Sequence, residues 1–317
     1  MSEVTRRALR LGTRRSPMAM TQSEHVARML TARTGCLIEL VGITTFGDVS
    51  RAELAQIGGT GVFVSELRKR LADGDIDFAV HSLKDLPAAA DKNVALAAIP
   101  PREDPRDALV ARNGAKLADL PAGARIGTGS PRRAAQLLLL RSDLRPVPIR
   151  GNAGTRLGKV DCGEVDAVVL AYAGLARIGR LEAVSQVFEP DEMMPAPGQG
   201  ALAAECLASR PELAELLGQI DDAASRAATV AERSLLAALQ AGCSAPIGAY
   251  AAGTGVLRLD AVVAAANGGE VLRASASGPA RQAAKVGRQV AAELLSRGAG
   301  RYTDVSDGHR THGDDAQ

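Results

Sequence analysis

The stretch "IGTGSP" at residues 126–131 joins an apolar run to a helical pattern, and a near copy, "LGTRRSP", lies at residues 11–17. In both copies the chain leaves a predicted strand through Gly-Thr and enters a predicted helix through Ser-Pro. Serine is a favoured helix N-cap, and proline suits the first helical turn because an N–H there has no helical partner. The repeated junction therefore predicts two similar α/β lobes.

Short apolar runs alternate with helical patterns around both junctions. A strand, a helix and a second parallel strand form the repeating unit of helix-covered, mostly parallel sheets. The fold class is therefore expected to be α/β, with two lobes of mostly parallel sheet. The predicted strands are residues 8–12, 36–45, 76–83, 124–128, 146–150 and 166–171, and the predicted helices are residues 17 to about 32, 62–74 and 131–141.

Two stretches rich in proline or glycine, "IPPREDP" at 99–105 and "MMPAPGQG" at 193–200, are expected to carry the chain between the lobes. A third unit follows, with a long helix over 221–242, three short strand patterns and a final helix over about 278–297. This order is typical of a small α+β domain. The predicted domains are residues 1–100 with 200–218 as lobe 1, residues 104–195 as lobe 2, and residues 221–317 as a C-terminal domain.

The composition limits the classes of function. The chain has 317 residues, enough for two or three domains, and its net charge of +2 gives no argument for a nucleic acid or a membrane surface as partner. The four cysteines lack zinc spacing, so we expect free thiols and no metal. No apolar leader or membrane-length run is present, which favours a cytoplasmic protein.

Arginines recur where predicted strands end, which is where open α/β sheets bind ligands. Arg132 and Arg133 lie in a helix first turn, where a cation opposes the helix dipole unless an anion joins it. Guanidinium groups bind carboxylate or phosphate bidentately, but no GxxxxGK[ST] loop supports phosphate. The pattern favours a cleft for a polyanion such as a polycarboxylate, and solvated surface charge is the alternative.

Two further stretches carry reactive residue types. In "AVHSLKDLP" at 79–87, Asp85 is a candidate acid, base or cation stabiliser, with a role as N-cap or turn former as the alternative. His81, Ser82 and Lys84 beside it could suggest a hydrolase, but no GxSxG elbow is present. Cys243, in "AGCSAPIG" at 241–248, follows the glycine that should end a helix, so a covalent attachment point is a live alternative to core packing.

Eight stretches in order resemble the signature blocks of the porphobilinogen deaminase (hydroxymethylbilane synthase) family. They run from residue 12 to residue 251, which is most of the chain. They are "GTRRSPMAMTQ", "GGTGVFVSEL", "AVHSLKDLP", "IGTGSPRRAAQL", "RGNAGTRLGK", "LAYAGLARIG", "PAPGQGALAAE" and "AGCSAPIGAYA".

The resemblance implies a three-domain monomer whose first two domains are similar to periplasmic binding protein lobes. It implies that Cys243 carries a dipyrromethane cofactor through a thioether. The expected reaction joins four porphobilinogen molecules head to tail with loss of ammonia, then hydrolyses off a linear tetrapyrrole. The expected partner is the small-molecule substrate, with no nucleic acid and no membrane.

The resemblance also assigns roles to residues. Asp85 matches the catalytic aspartate that should stabilise the azafulvenium cation left when ammonia departs. Relatives often have lysines at the positions of Gln56 and Thr60, and Gly-Gly where this chain has Ala241-Gly242. The residues expected to bind cofactor and substrate are Arg14, Ser16, Gln22, Ser82, Lys84, Thr128, Ser130, Arg132, Arg133, Arg150, Arg156 and Arg177.

Two rival functions belong to other classes. A two-lobed binding protein for a carboxylate-rich ligand would use the same cleft but would need neither Asp85 nor a cysteine on a turn. A phosphate-handling transferase is disfavoured because no phosphate loop or metal cluster is evident in the sequence. Nucleic-acid binding is weaker still, since aromatic residues make up only 2% of the chain.

Overall fold

The computed structural model describes residues 7–43, 61–89, 91–242 and 245–302. Within these ranges no helix combines the length and the apolar character needed to span a bilayer. The strands are β1 Leu9–Arg14, β2 Ile38–Ile43, β3 Phe78–Ser82, β4 Val94–Ala98, β5 Asp107–Ala111, β6 Arg125–Gly127, β7 Arg145–Val147, β8 Ala167–Ala171, β9 Gln186–Val187, β10 Leu202–Leu207, β11 Ile247–Ala252, β12 Val256–Ala264 and β13 Val271–Pro279. The helices are α1 Pro17–Thr34, α2 Gly61–Ala72, α3 Pro131–Leu140, α4 Ala153–Asp161, α5 Tyr172–Arg177, α6 Pro211–Gly218, α7 Ala223–Ala238 and α8 Ala283–Ser296.

Two five-stranded sheets repeat one topology. The first has the order β2-β1-β3-β10-β4 and the second β7-β6-β8-β5-β9. In each sheet four strands point the same way, and only β10 or β5 runs against them. Each antiparallel strand is the first one after the chain crosses from the other sheet. The predicted α/β class, with two lobes of mostly parallel sheet, is confirmed.

The junction that opened the sequence analysis has the same construction in both lobes. Ser16 Oγ accepts a hydrogen bond from the Ala19 amide (3.3 Å) at the start of α1. Ser130 Oγ accepts one from the Arg133 amide (3.4 Å) at the start of α3. Both predicted N-caps therefore form, and each fixes the direction in which its helix leaves the sheet.

The glycines of the two junctions leave room for a neighbouring isoleucine side chain. A Cβ on Gly12 would lie 2.3 Å from Ile76 Cδ1, and a Cβ on Gly127 would lie 2.7 Å from Ile149 Cδ1. Neither position can hold a side chain without moving a buried isoleucine. The glycines thus let an apolar side chain close over the end of the strand in each lobe.

The C-terminal part forms a small antiparallel sheet, β11-β12-β13, covered on one face by α7 and α8. The two helices approach closely because residue 287 on α8 is glycine, where a Cβ would lie 2.2 Å from the Ala231 carbonyl oxygen. Leu235 on α7 and Val290 on α8 are fully buried in the core beneath the sheet. This matches the predicted small α+β unit, while the exact domain bounds stay a prediction.

Three sequence-based details were wrong. The helix predicted over 221–242 ends at Ala238, since Gln240 takes a positive φ of 52° that a helix cannot continue. The last helix begins at Ala283 rather than near 278, because β13 continues to Pro279. The short strands β4, β5 and β9 were missed, as five-residue or two-residue runs give little periodicity.

One buried carboxylate joins the crossings to the C-terminal domain. Glu232 on α7 is fully buried and pairs with Arg102 of the first crossing through Nη1 (2.7 Å) and Nη2 (3.1 Å). It also accepts from the Gly198 amide of the second crossing (2.6 Å) and from the Ala251 amide of β11 (2.9 Å). Both crossings and the third sheet are therefore held at one point.

Replacing Glu232 by glutamine should lower the free energy of unfolding by about 3–5 kcal/mol, because the buried Arg102 charge loses its counter-charge. The measurement is urea unfolding followed by circular dichroism. The matched control is Glu182→Gln, which removes an exposed partner of Arg180 and should cost less than about 0.5 kcal/mol. Equal losses in the two variants would contradict this role for Glu232.

Candidate active site

The carboxyl ends of the parallel strands in the two lobes lie near each other, since α1, which follows β1, contacts α5, which follows β8. The antiparallel strands add their first residues to the same edges, since Leu202 of β10 pairs with Ser82 of β3 and Asp107 of β5 pairs with Ala171 of β8. Residues just before β10 and β5 therefore lie beside residues just after β3 and β8. This arrangement gathers a cluster of charged groups between the lobes.

Asp107 is the centre of that cluster. Its side chain is fully buried, and Arg132 Nη1 lies 2.7 Å from its Oδ2. Arg133 donates to its Oδ1 from Nε (3.0 Å) and Nη2 (2.7 Å). Burial alone would raise the pKa of Asp107, but the attraction of the two guanidinium groups outweighs it and holds that pKa well below its usual range.

Asp107 is the anion that compensates the charges of Arg132 and Arg133. Two cations in the first turn of α3 require an anion nearby, and the structure supplies a protein carboxylate. Sequence reasoning missed this residue. The available signal was an acidic residue at the start of the apolar run "DALVA", which would be costly to bury without a partner.

Gln199 connects the lobes and was also missed. Its Nε2 donates to Asp107 Oδ1 (2.8 Å) and to the Pro105 carbonyl (2.7 Å). Its Oε1 accepts from Lys84 Nζ (3.2 Å) and from Arg133 Nη2 (3.4 Å). Lys84 follows β3 of the first lobe, so the buried amide orders cationic groups from both lobes around one point.

Lys84 has a perturbed amine. Burial lowers its pKa to about 8, and repulsion from Arg133 and Arg132 acts in the same direction. Attraction to Asp85 and Asp107 acts against the decrease. A sizeable fraction of the amine is therefore neutral at mildly alkaline pH.

Asp85 is the last residue of a single 3₁₀ turn, Leu83–Asp85, directly after β3. Its side chain is exposed, whereas Leu83 and Leu86 on either side of it are buried. The N-cap position of the turn belongs to Ser82, so Asp85 is not placed as an N-cap. The buried leucines instead anchor a turn that leaves the Asp85 carboxylate exposed and close to the Lys84 amine.

The remaining predicted residues lie along the same edges. Gln22 of α1 donates from Nε2 to Ser82 Oγ (3.0 Å), and Thr128 Oγ1 accepts from the Ser130 amide (3.2 Å). Arg14 is half-buried at the end of β1.

The arginines of lobe 2 differ in how they are held. Arg150 is exposed after β7, and Arg156 of α4 is half-buried and donates to the Gly151 carbonyl (2.8 Å). Burial and the neighbouring Arg133 lower the pKa of Arg156. Arg177 lies 2.9 Å from Glu103 Oε2 and donates to the Gly200 carbonyl (2.8 Å), so it binds both crossings.

The predicted attachment residue, Cys243, lies outside the described residues, as do Gln56 and Thr60. The residues beside it are described: the Gly242 carbonyl accepts from the Ala245 amide (3.1 Å). Ala241 and Ala245 are both buried against the C-terminal core.

Comparison with known proteins assigns the family. Residues 9–215 match the family model described as "Porphobilinogen deaminase, dipyromethane cofactor binding domain", and residues 227–296 match the model of its C-terminal domain. This chain belongs to the porphobilinogen deaminase family. The expectation drawn from the eight sequence blocks is confirmed, and the family is one of transferases of porphyrin biosynthesis.

Relatives within the family cover nearly the whole chain. The porphobilinogen deaminase of Thermobifida fusca is 57% identical over 300 residues, which is 92% of this chain and 94% of that protein. Porphobilinogen deaminase 1 of Streptomyces coelicolor is 54% identical over 310 residues, 93% and 97% of the two chains. Among solved structures, the periplasmic VFT2 domain of Bordetella pertussis BvgS matches 67% of this chain and 86% of its own, with a TM-score of 0.41 and 17% identity.

The residues of the cleft fit the dipyrromethane that the family's domain binds. Each pyrrole ring of that group carries two carboxylate side chains, which require cationic partners. Arg132 and Arg133 share one carboxylate, Asp107, so their cluster keeps a net positive charge. Arg150 and Arg156 of lobe 2 add further positive charge on the same side of the cleft.

Competitive labelling of amines should find half-maximal reactivity of Lys84 near pH 8, since only the neutral amine reacts. In Asp85→Asn the midpoint should fall, because the carboxylate raises the pKa of Lys84. The measurement is acylation by acetic anhydride between pH 6 and 11, followed by peptide mass mapping. A midpoint near the ordinary lysine value of 10.5 would contradict the burial of this amine.

Proposed function

We propose that this chain condenses four porphobilinogen molecules head to tail, releases one ammonia at each addition, and frees hydroxymethylbilane by hydrolysis. The observation that carries the proposal is the Asp85 carboxylate, exposed on an anchored turn beside Lys84 at a cationic cleft. Loss of ammonia from porphobilinogen leaves a cation conjugated with the pyrrole ring. A fixed carboxylate beside that cation lowers the barrier to its formation.

Asp85 can serve both partners of the condensation. A carboxylate accepts hydrogen bonds from pyrrole N–H groups and so orients the rings, and its charge stabilises the methylene cation as ammonia leaves. The pyrrole hydrogen replaced in each addition must also depart, and the same carboxylate is placed to assist that proton transfer. Lys84 holds a substrate carboxylate next to it.

The arginines divide into two groups. Arg132 and Arg133 are buried and paired with the single carboxylate of Asp107, so the three groups together keep a net positive charge at a fixed position. Arg150 precedes α4 and Arg156 lies in its first turns, and within the described residues no buried carboxylate is paired with either. They are therefore suited to follow carboxylates that move as the product grows. Fixed cations anchor the first rings, and more exposed cations bind the later ones.

The cofactor supplies a primer that keeps the growing product bound to the protein. We infer that Cys243 is its attachment point, by match to the family's cysteine. The adjoining α7 supports this, since the same helix carries Glu232, which fixes the crossings beside the cleft. A thioether there would place the first ring near the helix end while the arginines hold its carboxylates.

The cellular setting and assembly follow as part of the proposal. Cys36, Cys162 and Cys206 are free thiols, which suits a reducing compartment such as the cytoplasm. A monomer contains every residue assigned here. The domain bounds proposed are residues 1–100 with 200–218, 104–195 and 221–317, in keeping with β10 lying between β3 and β4.

The test is incubation of the purified chain with porphobilinogen. We expect four ammonia molecules for each hydroxymethylbilane, and an intact mass increased by a two-pyrrole adduct that maps to Cys243. Cys243→Ser should carry no adduct, whereas Cys162→Ser, which changes an exposed free thiol, should keep it. Binding of porphobilinogen without ammonia release would favour the binding-protein alternative.

Asp85→Asn should lower kcat by about 10²- to 10⁴-fold while the fold is retained, because the charge that stabilises the cation is lost. The chain offers a matched control in Asp119, which ends a second 3₁₀ turn, Leu117–Asp119, between buried leucines in "LADLP". Asp119→Asn should keep wild-type kcat and the same melting temperature within about 2 °C. The measurement is the steady-state rate of ammonia release. Equal kcat values for the two variants would contradict the role of Asp85.

A further inference from the structure

Arg233 of α7 contacts the turn that carries Asp85. Its Nη1 donates to the Leu86 carbonyl (3.1 Å) and lies 3.4 Å from the Leu83 carbonyl, and its Nη2 donates to the Pro87 carbonyl (2.6 Å). One guanidinium thus binds backbone oxygens on both sides of Asp85. The contact joins the C-terminal domain to lobe 1.

The turn itself has little internal support. It is one 3₁₀ turn, closed by the hydrogen bond from the Leu86 amide to the Leu83 carbonyl (3.1 Å). The residue after Leu86 is a proline, so its nitrogen cannot donate a further bond to continue the turn. The position of the Asp85 backbone therefore depends on groups outside the turn.

Arg233 is held in place from its own side. It follows Glu232, whose carboxylate fixes α7 against both crossings. Burial lowers the pKa of Arg233, the carboxylate of Glu205 on β10 acts against the decrease, and the Arg68 charge adds to it. The Arg233 guanidinium therefore extends from a helix whose position is fixed by the contacts of Glu232.

We propose that Arg233 is a positioning residue for Asp85. It sets the distance between Asp85 and the C-terminal end of α7, beyond which Cys243 follows in the sequence. The guanidinium acts through the carbonyls of the turn and makes no contact with the substrate. This rests on the proposed function, in which Asp85 acts on a ring bound near Cys243. A shift of about 1 Å in a catalytic group lowers a rate by up to about 100-fold, whereas binding by the distant arginines is unaffected.

The test compares Arg233→Leu with Arg226→Leu in the holoenzyme. Arg226 lies on the same helix, is also half-buried, and also donates to backbone carbonyls of lobe 1, but to those of Leu96 (3.4 Å) and Ala97 (3.0 Å) on β4 rather than to the Asp85 turn. It pairs in addition with Asp221 (2.7 Å). We expect Arg233→Leu to lower kcat by about 10- to 100-fold with KM changed less than about twofold. Arg226→Leu should keep kcat within about twofold of wild type.

A second measurement does not depend on turnover. Amide hydrogen exchange followed by mass spectrometry should be faster at residues 83–86 in Arg233→Leu than in wild type, and unchanged there in Arg226→Leu. Arg233→Lys keeps the charge but cannot span two carbonyls, so its kcat and exchange rates should fall between those of wild type and Arg233→Leu. If Arg233→Leu fails to fold, Arg233→Lys takes its place in the comparison with wild type.

Two outcomes would overturn the proposal: equal kcat in the Arg233 and Arg226 variants, or unchanged exchange at residues 83–86 when Arg233 is replaced. These outcomes are separate from failure of the proposed function. If the wild-type holoenzyme released no ammonia from porphobilinogen, the function would be wrong, and the exchange experiment would still decide whether Arg233 holds the turn.

Discussion

The buried carboxylate of Glu232 is the constraint on which the arrangement of the three parts depends. A fully buried charge is tolerated only when it is paired and hydrogen-bonded, so Arg102, Gly198 and Ala251 must all remain within reach of it. Those partners come from the first crossing, the second crossing and the third sheet. The points at which the chain leaves and re-enters lobe 1 are therefore fixed relative to α7, and the cleft between the lobes opens beside a rigid junction.

The electrostatics of the cleft follow from a shortage of negative charge. Asp107 compensates Arg132 and Arg133 only in part. Burial lowers the pKa of Lys84, and repulsion from the two arginines adds to the decrease. An environment of this kind binds carboxylates strongly and disfavours cations. Asp85 is thus an unusual group at its rim, and its negative charge is suited to a cationic species that would otherwise be repelled.

The direction of two strands places the residues that order this cluster. Because β5 and β10 run against their neighbours, Asp107, which begins β5, and Gln199, which shortly precedes β10, both lie at the carboxyl edge of a sheet. Each lobe therefore contributes groups from a crossing as well as from the ends of its parallel strands. The residues that order the charged cluster also belong to the segments that connect the lobes. A substitution there is therefore expected to alter both the reaction and the way the lobes are held together.

The sequence by itself determined the features that depend on near neighbours along the chain. Strand, Gly-Thr, Ser-Pro and helix form a local unit, and so the two lobes, their N-caps and the position of Asp85 after β3 could be predicted from patterns of a few residues. The order of the signature blocks gave the family, and with it most of the candidate site. Tertiary structure alone decided which charges meet: Arg132 with Asp107, Arg102 with Glu232, Arg233 with the turn of Asp85. Those partners are distant in sequence, and the energy that pairs them arises only when burial removes water from both, which no local pattern encodes.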